Sequence, residues 1–144
     1  TWAAGMQMGK ASEQVVSNLL SRWTSQDPQQ AAVWASQIPD AEKRVQAMKL
    51  LTNKWAMRDP VATAGWLNNF PPSPELDPVV EEFVDRISSR DPEGAVGWAA
   101  SIINQEQKEK ALRKALRAWD RKNPEQAKAW RLVNNVPFEK VPPR

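Results

Sequence analysis

The sequence has no cysteine, no histidine and no tyrosine, and only five glycines in 144 residues. Without cysteine there is no disulfide framework and no thiolate metal site. Without histidine the side chain that most often serves as general base and metal ligand is missing. Together the two absences exclude the Ser-His-Asp and Cys-His constellations of nucleophilic catalysis. No glycine-rich phosphate loop, zinc spacing or calcium-loop pattern is present. No apolar run approaches the roughly 18 residues of a membrane-spanning helix, and Thr1-Trp2-Ala3-Ala4-Gly5 shows no basic-then-apolar leader pattern. Charge of either sign is modest: 20 Lys and Arg against 17 Asp and Glu give +3 and a pI near 9.4, which permits an anionic partner without demanding one. These absences point to a non-enzymatic chain with no cofactor and no metal. The lack of cysteine suits a cytoplasm and a bacterial cell envelope equally.

What the chain does have is tryptophan, eight of them, and proline, twelve. They are not scattered. Trp2, Trp34, Trp66, Trp98 and Trp130 recur at one constant spacing, and Trp23, Trp55, Ile87 and Trp119 form a second series at the same spacing. Asp27-Pro28, Asp59-Pro60, Asp91-Pro92 and Asn123-Pro124 lie between the two series. A fixed period of this size marks a tandem array of small supersecondary units. Copies fall near residues 1–26, 27–58, 59–90, 91–122 and, partially, 123–135. Trp2 sits at the second-tryptophan position of a copy whose first part is missing, so the sequence is expected to start inside a repeat.

Within each copy the period is helical. Val45, Met48, Leu51, Thr52 and Trp55 recur at three- and four-residue steps, which predicts a long helix of about 16 residues with one apolar face. A shorter helix follows each Asp-Pro or Asn-Pro, with Ala31, Trp34 and Ile38 as its apolar stripe. Asp27, Asp59, Asp91 and Asn123 are candidate N-caps. The following proline suits the first helical position, and the residue before it is steered out of the α region, so the long helix must stop there. Ser73-Pro74 and Asp77-Pro78 both offer a start to the third long helix, and Pro78 should shorten or tilt it. Residues 136–144, with three prolines, read as an extended tail, and Phe138 is placed to fold back over the last copy. The fold class expected is all-α: an α-solenoid of antiparallel helical hairpins over residues 1–135.

The pattern Asp-Pro-x-x-Ala-x-x-Trp resembles the junction between tetratricopeptide repeats. It is carried by Asp27, Pro28, Ala31 and Trp34, by Asp59, Pro60 and Trp66 with Thr63 at the Ala position, by Asp91, Pro92, Ala95 and Trp98, and by Pro124, Ala127 and Trp130. The period of that family is 34 rather than 32, and its Leu-Gly pair and later tyrosine are missing here. The resemblance implies a right-handed superhelix that presents a groove to other proteins, and no peptide-clamp residues are carried over.

Fixed slots on a repeating apolar face are what core positions look like, so Trp23, Trp34, Trp55, Trp66, Trp98, Trp119 and Trp130 are expected in the repeat core. Members of each pair are expected to pack together at the joint between hairpins. Charge alternates along the array: Lys49, Glu81 and Arg113 are equivalent, as are Asn53, Asp85 and Arg117, which predicts an ion-pair ladder between neighbouring long helices. Function should then lie in what differs between copies. Gln37, Asn68, Asn69 and Asn104 on the short helices and turns, and Lys110, Lys114 and Arg121 near the basic end, are the candidate partner-binding residues. The reading is a protein or peptide interaction scaffold. Its alternatives are a nucleic-acid or anionic-polymer binder working through the basic end, with nucleic acid the less favoured, and a structural protein that self-associates through its repeat ends.

Overall fold

The computed structural model describes residues 10–136, and within them the chain is all-α. Trp2 and residues 137–144 lie outside the described residues. The long helices are α1 (Lys10–Gln26), α3 (Ala41–Arg58), α5 (Asp77–Ile87) and α7 (Gln105–Lys122); the short ones are α2 (Pro28–Ser36), α4 (Pro60–Leu67), α6 (Pro92–Ala100) and α8 (Pro124–Asn134). The chain divides after Phe70 into two compact units. In the first, α1 and α2 pair, α3 packs on both, and α4 follows on α3. The second repeats this order with α5, α6, α7 and α8.

The four junctions are built alike. Asp27, Asp59, Asp91 and Asn123 hold φ between −137° and −154°, outside the helical region. Each side chain accepts from the backbone N–H three residues on, at Gln30, Ala62, Gly94 and Gln126, over 3.0–3.2 Å. Each backbone N–H closes the preceding long helix by donating to the carbonyl of Trp23, Trp55, Ile87 or Trp119 at 2.6–2.8 Å. One residue therefore ends one helix and caps the next, and proline at the first helical position needs no partner for its nitrogen.

The turn from short to long helix has its own caps. Asp40 accepts from Lys43 N–H at 3.0 Å and Asn104 from Gln107 N–H at 3.0 Å. These two positions are equivalent two periods apart, and Pro72 stands midway between them. With no side-chain acceptor there, α5 starts late and has 11 residues where the other long helices have 17 or 18. α5 starts at Asp77-Pro78, one of the two starts read from the sequence, but Asp77 does not cap it. Its carboxylate is buried, 2% exposed, and reaches the α6–α7 turn, where it accepts from the N–H groups of Ile103 and Asn104 at 2.9 Å each. Ser73 organises the α5 approach instead, its hydroxyl accepting from Leu76 N–H at 3.2 Å.

The packing faces of the short helices are made of small residues more than of indoles. Ala31, Thr63, Ala95 and Ala127, equivalent in register, are all fully buried, and Ala35, Leu67 and Ala99 one turn on are also covered. Apart from Leu67, the covered positions of that stripe hold short side chains. The long helices supply the bulk: Leu20, Leu51, Val79, Phe83 and Val84 are buried to 1% or less. Thr52 is buried at 0%, and among the described residues its hydroxyl has no hydrogen-bond partner. The other three copies place Leu20, Val84 and Leu116 at this position.

Thr52→Val should therefore raise stability by about 1 kcal/mol, because the desolvated hydroxyl disappears and the shape is kept; an unchanged or lower urea midpoint would contradict that. Asp77→Ala leaves two inward amides without their acceptor and should cost about 2–3 kcal/mol, read as a lower midpoint at constant m-value.

Candidate interaction surfaces

The tryptophans fall into two groups. Trp55 and Trp119 are buried, each 5% exposed. Trp23, Trp34, Trp66, Trp98 and Trp130 are only partly covered, a correction to the expectation that all seven lie in the core. On the short helices the small residues take the fully covered positions and the indoles the half-covered ones. The indoles meet in pairs. The rings of Trp23 and Trp34 are 5.9 Å apart, and so are those of Trp55 and Trp66. Phe70 adds an edge-on contact to Trp66 at 5.7 Å. In the third copy Ile87 replaces the first tryptophan, and Phe83, one turn earlier, supplies the ring against Trp98 at 5.2 Å. In the fourth, the Trp119 indole N–H donates to Gln126 at 3.4 Å.

The polar residues singled out for partner binding are partly absorbed by the fold. Asn104 is the α7 cap, so its side-chain oxygen is already committed. Gln37 and Asn68 close α2 and α4 through their backbone N–H groups, and their side chains are exposed, as is that of Asn69. Lys114 is engaged in an ion pair with Asp85 at 2.8 Å, joining α7 to α5. This cross-helix rung lies within the second unit, and it is offset: the register partner of Asp85 is Arg117, three positions further on. Lys110 and Arg121 are exposed. With Lys114 and Arg117 they line one face of α7, at steps of four, three and four.

Two basic side chains do a job that sequence reading missed. Arg58 donates to the carbonyl of Ser25 at 2.6 Å, and Lys122 to that of Arg90 at 2.7 Å. Arg58 and Lys122 are equivalent positions two periods apart, each the last residue of its long helix. Each places a cation at the carbonyl end of the preceding long helix, where the helix dipole favours it. A basic residue directly before Asp-Pro or Asn-Pro was the available signal.

The fourth copy departs most from the others. At the buried pair filled by Thr24 with Ala35, Ala56 with Leu67, and Ser88 with Ala99, it has Asp120 with Arg131. Arg131 is 8% exposed, and its guanidinium makes a two-pronged contact with Asp120 at 2.7 and 2.8 Å. The hydrogen bonds to Asp120 raise the Arg131 pKa above the ordinary arginine value, burial opposes that, and the opposite charge adds to it. Beside the pair lies a hollow of about 610 Å³, bordered by Pro124, Glu125, Lys128, Arg131, Leu132 and Val136. Asn135, at φ 55°, turns the chain back, and Val136 N–H returns to the Arg131 carbonyl at 3.0 Å. On the rim stand Leu132 and Val133, 71% and 82% exposed. Their register equivalents are Ser36-Gln37, Asn68-Asn69 and Ala100-Ser101. In the first unit Val61 is also exposed, at 81%.

Among the described residues no group of acidic, histidine or cysteine side chains is placed to hold a metal ion, and no helix is long and apolar enough to cross a membrane. Comparison with protein-family models, with curated proteins and with solved structures found no match. The Asp120–Arg131 pair can be tested directly. Asp120→Ala strands a covered guanidinium and should cost about 2–3 kcal/mol, whereas the double change Asp120→Ser with Arg131→Ala, which imports the third copy's residues, should recover most of the loss. An equal loss in both variants would deny the coupling.

Proposed function

We propose that this chain is a non-enzymatic protein-interaction scaffold: a tandem array of helical hairpins similar to tetratricopeptide repeats, wound as a right-handed α-solenoid. The observation that carries the reading is the recurrence of one junction at a constant period, with the same cap, the same proline and the same closing hydrogen bond each time. Units stacked by a repeating joint bury a continuous core and leave an extended surface whose residues are free to vary. The variable positions carry exposed apolar side chains, Val61, Leu132 and Val133, and apolar groups held in water are where partner proteins gain most on docking.

One observation favours a second reading. Lys110, Lys114, Arg117 and Arg121 share a face of α7, and such a row suits an anionic polymer. Salt separates the two. A polymer contact through this row would give retention on heparin or RNA that falls steeply as salt rises. For the scaffold reading, proteins captured by the native chain should be lost when Val61 or Val133 is changed to Asp, with the melting temperature unchanged. Capture indifferent to both substitutions, together with salt-sensitive retention on heparin, would replace the scaffold by the polymer binder. Light scattering at two concentrations reads the remaining alternative, stacking of copies through their repeat ends.

A further inference from the structure

The hollow on the fourth copy has counterparts elsewhere in the chain, and those counterparts are filled. Its residues Asp120, Pro124, Lys128 and Arg131 correspond to Ser88, Pro92, Val96 and Ala99 in the third copy, all buried, with α7 packed on α6. They correspond to Thr24, Pro28, Ala32 and Ala35 in the first, where α3 packs on α2. Twice, then, this surface is the seat of a long helix. In the fourth copy Pro124 and Lys128 are exposed.

We infer, building on the scaffold reading, that this hollow binds an acidic amphipathic helix of a partner protein, lying beside α7 as α7 lies beside α5. The repeat geometry defines the shape of the occupant. α7, which packs on α6, buries Ala111, Ala115, Leu116, Ala118 and Trp119, so the seat takes a helix with an apolar face that includes small residues. Leu132, exposed where the earlier copies carry Ser36, Asn68 and Ala100, widens the apolar contact.

The charge of the occupant follows from register. Along α5 the residue facing the incoming helix is Asp85, and α7 answers it with Lys114 at 2.8 Å. The equivalent of Asp85 on α7 is Arg117, which is exposed. A helix seated here therefore needs a carboxylate where α7 has Lys114. Lys128, in place of Val96, asks for a second one. A helix like α7 would set Lys114 against Arg117, and like charges at close quarters are rejected. That disfavours α7 of a second copy as the occupant, and α5, which has Glu82 at the position of Lys114, is already packed on α6 and α7 of its own chain.

The probe is the 18-residue α7 segment, Gln105–Lys122, made as a labelled peptide in its own sequence and with Lys110→Glu and Lys114→Glu. Fluorescence anisotropy against the full chain should show the acidic peptide binding about tenfold more tightly than the unaltered one, the effect of turning a repulsive pair into an attractive one. Arg117→Glu in the full chain should reverse that preference, and Leu132→Asp should abolish binding of both; helical circular dichroism confirms that each variant is folded. Equal affinities for the two peptides, or a preference that survives Arg117→Glu, would overturn the assignment. So would binding that emerges only after removal of residues 137–144, since the chain's own following segment would then be the occupant. Concentration-dependent dimers that Leu132→Asp dissolves would give the seat to a second copy. If native protein capture depends on Val61 and not on Leu132, the scaffold reading stands and this seat does not.

Discussion

A single side chain at each junction carries two helices. The Asp or Asn before proline stops the long helix with its N–H, leaves the α region because proline follows, and accepts with its own oxygen from the amide three residues on in the short helix. The φ angles of the four caps all fall between −137° and −154°. That agreement repeats one local backbone geometry at every junction, and the same neighbours recur around it in each unit. The pairs of aromatic rings, the small-residue stripe and the cation at the preceding helix end all sit at fixed offsets from the junction. None of them could recur if the junction wandered.

Because the joint is invariant, its neighbours can be compared as variants of one design. The third long helix shows the effect of losing a cap: with Pro72 where Asp40 and Asn104 stand, α5 begins late and Asp77 is released to hold the α6–α7 turn. The fourth copy shows the effect of changing the stacking face. Small buried residues become an aspartate and an arginine, matched closely enough for the guanidinium to be covered. Buried pairs of this kind add little net stability over apolar residues of similar size. Their consequence is selectivity: a surface with fixed charges accepts a narrower set of helices than one of alanine and valine.

Much of this was legible in the residues and some of it was not. The Asp-Pro spacing, the alternation of long and short helices, the meeting of Trp23 with Trp34 and Trp55 with Trp66, and the shortening near Pro78 all follow from local rules, since a cap, a proline and a three-four period act within a few residues. The degree of burial does not. Tryptophan at a constant slot reads as core, yet among the described residues only Trp55 and Trp119 are covered, while Ala31, Ala95 and Ala127 on the short helices are fully buried. Asn104 reads as a variable polar residue in a turn, and only its partner, Gln107 N–H, reveals it as a cap. At Asp85 the ladder of charges was readable in sign and not in register. Lys114, not Arg117, answers Asp85, since a long flexible side chain reaches a carboxylate one turn away from its nominal neighbour.

That offset carries the functional argument further than the motif does. The repeating residues explain why the hairpins pack and say nothing about what they meet. The information about a partner lies where the fourth copy breaks the pattern: Lys128 for Val96, Arg131 for Ala99, Arg117 for Asp85, Leu132-Val133 for a polar pair. Each change by itself is an ordinary surface substitution. All of them fall on, or at the edge of, the face that receives a long helix in the first and third copies, where Asp120 also replaces Ser88. A purely solvating face would shed its large apolar side chains. This one keeps Leu132 in water beside a hollow where Lys128 and Arg131 stand with Asp120 and Glu125, and the exposed Arg117 on α7 adds the cation that a carboxylate on the flank of an amphipathic helix would meet.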